Sequence, residues 1–437
     1  MTQIDPLPSE LTSDVVVVGG GPAGTTTATL LADAGHRVVL LEREHFPRFK
    51  IGESLIPGSY EVLQRLGMLD KLAESSFPKK HSVQFFTSDG RAGKPFYFKE
   101  IDPSERSQTW QVLRSDFDQM MLDNAREHGV EAHEGAQVKE VLFEDDRAVG
   151  VRAVVTPADS EDGGQEITIR SQVVVDATGQ RAMLARKLGL KQSDPCLRMA
   201  AIFTHFEGGL RDEGIDEGAT LILHNETQDA WFWYIPLPDD RVSVGVVGSI
   251  PYLIQGRQGD PQKIFDEEIG RCLGIQPRLK DARQVSDIQV LNDFSYVTKQ
   301  VAGDGWVLVG DACGFLDPMY SSGVLLALRS GELAADAIHG ALEAGDPSGE
   351  RLGTFGDDFR SGLGAFKKLV YAFYTKGFSF GRFLKQHPDH RLPIILILQG
   401  DVFDYDFEPF FRDLDTMLGN GHGVAPEQGT TAVAATA

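Results

Sequence analysis

Directly after four consecutive valines at 15–18 the chain carries Gly19-x-Gly21-x-x-Gly24. The valines predict a strand buried on both faces. Thr25 to Gly35 bears alanine and leucine at helical spacing and ends on a glycine suited to a left-handed cap. RVVLLERE at 37–44 predicts a second buried strand. Strand, turn, helix and strand within about 30 residues form a βαβ unit. In such a unit Gly19 allows the tight turn, Gly21 lets the backbone approach a pyrophosphate, and Gly24 lets helix and strand pack closely. Free N–H groups and the helix dipole then hold the anion. Glu42 ends the second strand, where an acid takes the ribose hydroxyls. A glycine turn without a ligand is the bland alternative, and the register of strand, helix and acid weighs against it. The loop alone does not separate FAD from NAD.

The rest of the 437 residues calls for two or three packed domains. Gln172–Asp176 and Gly305–Val309 predict further buried strands, and a long helix follows from about Gly323 to Leu342. Stretches at 81–98 and 199–247 alternate apolar residues between Gly, Pro and Asp turns and predict a mostly antiparallel second layer. The expected organisation is a Rossmann-like dinucleotide-binding domain in three parts (12–80, 106–190 and 291–345). Substrate-domain strands at 81–105 and an antiparallel-sheet substrate domain at 191–290 interrupt it. An aromatic-rich helical region at 350–418 and a disordered tail at 419–437 complete an α/β chain.

With 42 Lys and Arg against 64 Asp and Glu the net charge is −22, and a surface this acidic repels phosphate backbones, so no nucleic-acid partner is expected. Cys196, Cys272 and Cys313 are too dispersed for a disulfide framework or a metal cluster, so no metal and a cytoplasmic location are expected. The polar, acidic start does not read as a signal peptide, and no apolar run is long enough to span a bilayer.

Three segments carry a family resemblance. VLRSDFDQMM at 112–121, VVDATG at 174–179 and VLVGDACGFLDP at 307–318 resemble the remaining FAD motifs of the single-component flavin monooxygenases, geranylgeranyl reductases and flavin-dependent halogenases. The match implies FAD, with Arg114 near its phosphates or ribose and Asp311 on its ribityl chain. Asp311 has a physical warrant as well, since it ends a buried strand just before a helix; a capping aspartate is its alternative. For Arg114 the alternative is a surface salt bridge. Further cofactor contacts implied by the resemblance fall at Pro22, Ala23, Arg43, Arg48, Ile51, Gly52, Glu53, Ser54, Val138, Ala177, Thr178, Gly179, Pro318, Ser321, Gly323 and Val324.

Within that class FPRFKIGESLIP at 46–57, WFWYIP at 231–236 and FLDPMYSSG at 315–323 resemble the flavin-dependent halogenases, especially those acting on phenols and pyrroles. The resemblance implies that Trp231, Trp233, Ile235 and Pro236 keep substrate away from the flavin, although alternating tryptophans also suit a plain core strand. It implies that the backbone of Ser322 and Gly323 holds a halide, at a helix start that is physically an anion site; Ser as a simple cap is compatible. It also implies a catalytic lysine, here Lys80, in Phe77-Pro78-Lys79-Lys80. On a strand Lys79 and Lys80 point to opposite faces, so only one can reach a site, and a buried one has a lowered pKa. Two solvated surface lysines are the alternative. Tyr320 stands where tryptophan-specific members carry a glutamate, which favours phenol- or pyrrole-type chemistry.

The function implied is an FADH2-dependent halogenase. It oxidises chloride or bromide through a flavin C4a-hydroperoxide and halogenates an electron-rich aromatic substrate, free or carrier-bound. A separate flavin reductase is the implied partner. A monooxygenase or a geranylgeranyl-reductase-like enzyme of the same fold is the alternative, and a flavin-binding sensor is a third.

Overall fold

Four valines in a row leave no polar face, and Val15–Val18 accordingly lies at the middle of a sheet covered on both sides. The computed structural model describes residues 8–157, 164–255, 257, 259–403 and 405–418. The expected tail at 419–437 lies outside the described residues. The six-stranded sheet has the order Ala302–Gly303, Trp306–Leu308, Val173–Asp176, Val15–Val18, Val38–Leu41, Glu131–His133. Every pair in it is parallel except the outer Ala302–Gly303 edge. Pro22–Asp33 is the first helix, and Gly35 beyond it takes φ +87°, a left-handed turn that favours glycine. The long helix runs Ser322–Glu343 and packs along the first helix.

A second sheet forms the other layer. Met199–Glu207, Arg241–Ser249, Ala230–Pro236 and Thr220–His224 are antiparallel neighbours. Ser82–Phe86 then joins Thr220–His224 in parallel. The expected layer is mostly antiparallel, and this pair is its parallel exception. Ser82–Phe86 arrives from a distant part of the chain rather than through a hairpin, and only a hairpin forces antiparallel order. The face of this sheet toward the parallel sheet presents Trp231, Trp233 and Ile235, and the opposite face presents Phe232 and Tyr234 to a separate apolar cluster.

A four-stranded sheet of Glu10–Thr12, Gln165–Arg170, Arg147–Val155 and Ala136–Glu144 was not anticipated. Its hairpin turns at Asp145, which adopts φ +52°, a conformation that aspartate tolerates in tight turns. The C-terminal region is helical, with Gly356–Tyr374 as its longest helix and Phe380–Gln386, Arg391–Gln399 and Glu408–Leu418 after it. Among the described residues no helix is long and apolar enough to cross a membrane.

Candidate active site

A cavity of about 560 Å³ opens where the carboxyl ends of the parallel strands meet the tryptophan-bearing sheet. That is where open α/β sheets bind ligands. Its floor is the glycine loop. A Cβ on Gly24 would lie 2.0 Å from the Gly19 carbonyl oxygen, and one on Gly19 would lie 2.3 Å from the Ala177 carbonyl oxygen. Only glycine allows helix, strand and the Ala177–Gly179 turn to approach this closely. A Cβ on Gly21 would meet nothing nearer than Arg48 Nη2 at 3.8 Å, so its backbone faces open space. Helix and loop thus aim free N–H groups into the cavity.

Around this floor runs a buried charge network. Gly20 N–H donates to Glu42 Oε2 at 2.8 Å, and Arg48 Nη2 lies 3.6 Å from the same oxygen. Arg48 also reaches Asp118 Oδ2 at 2.8 Å. Arg114 grips Asp118 through two hydrogen bonds, Nε to Oδ1 at 2.8 Å and Nη2 to Oδ2 at 2.9 Å. Bidentate pairing of this kind fixes the guanidinium in one plane. Asp118 is fully buried and balances two arginines, a role its place one turn after Arg114 could have suggested. Asp311 is pushed up to about 6 by burial, with Arg114 and Gln180 pulling the other way. Asp176 faces inward and organises its own loop, accepting hydrogen bonds from Thr178 N, Thr178 Oγ1 and Leu184 N.

Every residue expected to contact the cofactor lines this cavity except Gly24, whose contribution is the close packing just described. The residues present fit a dinucleotide: among the described residues two buried polar atoms on the lining, Arg48 Nε and Glu53 Oε2, have no hydrogen-bond partner, although Arg48 Nε lies 3.5 Å from Glu44 Oε2. Phe49 and Lys50, within the 46–57 segment, also line it, as do Phe203 and Phe294, which no motif points to. Phe49 is 43% exposed yet stacks on Phe203, which marks the rim. Glu53, on the cavity wall, meets His205 Nε2 at 2.8 Å through its other oxygen.

The expected catalytic residues divide. Trp233 and Ile235 line the cavity, whereas Trp231, Pro236, Lys80 and Ser322 do not. Pro236 follows Ile235 on the strand, so the period-two alternation turns it toward the other face. Trp233 fits because Gly245 stands opposite it on the neighbouring strand; a Cβ there would lie 2.2 Å from the indole. Ser321 holds φ +56° and starts the long helix, with Gly323 on the cavity wall and Ser322 buried behind it.

Lys79 is exposed and Lys80 is fully buried. Lys80 Nζ donates to Ser54 Oγ at 2.8 Å and to the Leu55 carbonyl at 2.9 Å, and lies 5.6 Å from the Phe98 ring centre. Ser54 in turn is 2.8 Å from Thr220 Oγ1, which also takes a hydrogen bond from Gln111 Nε2. Ser54 and Thr220 both line the cavity, so the amine sits one side chain behind its wall. Among the described residues no carboxylate pairs with Lys80, and burial pushes its ammonium down to about 7. Trp231 is instead tied to the Gly356–Tyr374 helix: its Nε1–H donates to Tyr374 Oη at 2.9 Å.

No metal was expected. His387 Nδ1 and His390 Nε2 approach one oxygen of Asp413, at 3.4 and 2.7 Å, and none of the three lines the cavity.

A family model described as FAD binding domain matches residues 12–353. The 1H-pyrrole-2-carbonyl peptidyl-carrier-protein chlorinase of Pseudomonas fluorescens is 32% identical over 89% of this chain and 89% of its own. The corresponding brominase of Pseudoalteromonas luteoviolacea is 35% identical over 90% of this chain and 92% of its own. The solved structure of a flavin-dependent brominase superposes with a TM-score of 0.81 at 31% identity, covering 93% of this chain and 98% of that one.

Proposed function

Because this chain belongs to the flavin-dependent halogenases, we propose that it chlorinates or brominates an electron-rich ring of pyrrole or phenol type, held on a carrier protein. FAD held here and reduced by a separate flavin reductase would activate molecular oxygen, and oxygen would be the oxidant that makes a halide electrophilic. The remaining work is positioning and exclusion by the protein. Gly19, Gly21 and the helix after them hold the pyrophosphate, and Glu42 holds a ribose. Arg114, held rigid by Asp118, faces the phosphate or ribose side, and Asp311 the ribityl chain. The backbone N–H groups of Ser322 and Gly323 hold the halide. Trp233 and Ile235 close the cavity toward the substrate side, and Trp231 supports them from behind. Lys80 directs the electrophilic halogen onto the ring.

The observation that carries this reading is Lys80. A fully buried amine without a carboxylate partner, one hydrogen bond behind the cavity wall, is expensive to keep and is suited to chemistry. The pyrrole-carrier chemistry of the two relatives supports the carrier-bound substrate. Free cysteines at 196, 272 and 313 support a cytoplasmic setting.

The test is direct. The FAD-loaded protein is given FADH2, oxygen, bromide, and pyrrole and phenol acceptors, free and as carrier-bound thioesters. A brominated ring is expected, with the carrier-bound pyrrole turned over fastest. A hydroxylated ring without halogen would establish a monooxygenase instead. NADPH alone is expected to leave the bound flavin oxidised over minutes, and rapid bleaching of its visible absorbance would contradict the two-component scheme.

A further inference from the structure

Asp317 stands in a buried hydrogen-bond chain that the roles assigned above leave unused. Its Oδ1 accepts the Met319 N–H at 2.9 Å. Its Oδ2 accepts the Tyr374 O–H at 3.0 Å, and Tyr374 Oη accepts the Trp231 indole N–H at 2.9 Å. The chain joins the Phe315–Gly323 loop, the tryptophan strand and the Gly356–Tyr374 helix. Asp317 is 1% exposed, and among the described residues no cation pairs with it. The titratable groups acting on it are Tyr374 from the Gly356–Tyr374 helix and Tyr320 from its own turn. Burial holds both phenols well above their usual range, so they are neutral.

From Asp317 the chain makes one 3-10 turn, Pro318–Tyr320, passes Ser321 and enters the long helix at Ser322. Such a turn advances about 6 Å, so the carboxyl lies on the order of 10 Å from the first helical N–H groups. A charge on it and an anion on those groups would repel each other.

We propose that halide binding at the Ser322–Gly323 turn is coupled to the protonation of Asp317, the neutral carboxyl admitting the anion and the carboxylate opposing it. The inference rests on the reading that halide binds at that turn. Burial pushes the Asp317 carboxyl up to about 7, while its hydrogen bonds from Met319 and Tyr374 pull it down. The charge therefore appears as pH rises through neutrality, and halide affinity falls with it. A unit charge at about 10 Å and an effective dielectric of about 20 changes anion affinity by roughly tenfold. Asp317 is a positioning residue here, since it touches neither halide nor ring.

The test is bromide binding to the FAD-loaded protein at constant ionic strength, by calorimetry between pH 6 and pH 8.5 in two buffers of different ionisation heat. The wild type is expected to bind bromide about tenfold more weakly at the high end, with proton uptake on binding near pH 7. Asp317→Asn keeps an oxygen for Met319 N–H and cannot ionise. It is expected to match the wild type at pH 6 and to bind bromide about tenfold more tightly than the wild type at pH 8.5, with less proton uptake near pH 7. A merely structural role predicts parallel pH curves for the two proteins, and that result overturns the proposal. Tyr374→Phe removes a donor to the carboxylate and is expected to move the midpoint of the wild-type curve up by about one pH unit; an unmoved midpoint also overturns it. Tight bromide binding that ignores pH leaves the halide site standing and removes only the coupling. No bromide binding at any pH removes the halide site and this proposal with it.

Discussion

Lys80→Met is expected to abolish halogenation and, at the same time, to make the protein more stable. Loss of a group that directs the reacting atom lowers the rate by about 10³-fold or more, whereas oxidation of FADH2 by oxygen continues and releases peroxide. The stability gain follows from burial. An ammonium brought from its ordinary 10.5 to about 7 weakens the folded state by about 4 kcal/mol at neutral pH. The folded protein binds fewer protons at Lys80 than the unfolded chain between pH 7 and 10.5, so wild-type stability rises across that window. Methionine removes the burden but leaves Ser54 Oγ and the Leu55 carbonyl without their donor. That loss costs about 1–3 kcal/mol, which leaves a net gain of about 1–3 kcal/mol at pH 7. Denaturant titrations at pH 7 and pH 10.5 check the sign: the variant leads at the first and loses its lead at the second. A variant less stable at both, with halogenation intact, would remove Lys80 from the mechanism.

Lys80 and Asp317 also pull the pH profile in opposite directions. The neutral amine grows as pH rises through about 7, whereas the neutral carboxyl that favours halide is lost over the same range. At saturating bromide only the lysine limb remains, so kcat is expected to rise toward pH 8 if Lys80 acts as the neutral, nucleophilic amine. At low bromide both limbs act, and kcat/KM for bromide is expected to be bell-shaped near neutrality. The contrast between the two profiles is what separates the residues.

What was legible in the sequence follows from how local each signal is. The βαβ unit reads directly because a four-valine strand, a Gly-x-Gly-x-x-Gly turn and a following acid fall within one short stretch. The alternation of Lys79 and Lys80 was equally local, and the strand exposes one and buries the other. Pro236 shows where motif reading overreaches: the matched string places it beside Ile235, but a strand sends the two to opposite faces. The environment of Asp317 is hidden although the residue lies inside FLDPMYSSG at 315–323, because Tyr374 and Trp231 come from distant segments and only packing brings them together. Gly245 has the same history. Its need for glycine is set by Trp233 on another strand, and nothing in its own neighbourhood announces it. The 136–155 hairpin is different. Its alternating pattern and Asp-Asp turn are present in the sequence, and they are local signals of a hairpin.

Within the glycine loop, Gly24→Ala and Gly21→Ala are expected to lose FAD for different physical reasons, and the pair separates packing from recognition. At Gly24 a methyl group would stand 2.0 Å from the Gly19 carbonyl oxygen and 3.0 Å from Ala177 Cβ. Neither neighbour is a flexible side-chain end, so the first helix must lift off the sheet. Overpacking of this kind costs about 1–3 kcal/mol or more, and the melting temperature of the apo protein should fall with it. The lift also withdraws the helix N-terminus from its anion. At Gly21 the backbone sits at φ −77° and ψ −179°, which alanine adopts freely, and the added methyl meets only Arg48 Nη2 at 3.8 Å. The apo protein should therefore melt as the wild type does. The methyl nevertheless occupies the space through which the backbone approaches a pyrophosphate. Losing one or two charge-assisted contacts of about 1.5–3 kcal/mol each lowers FAD affinity by at least about tenfold. Fluorescence titration with FAD, set beside apo melts, reads both quantities. If Gly21→Ala bound FAD as the wild type does, the pyrophosphate would have to lie elsewhere, and the first assignment made from this loop would fail with it.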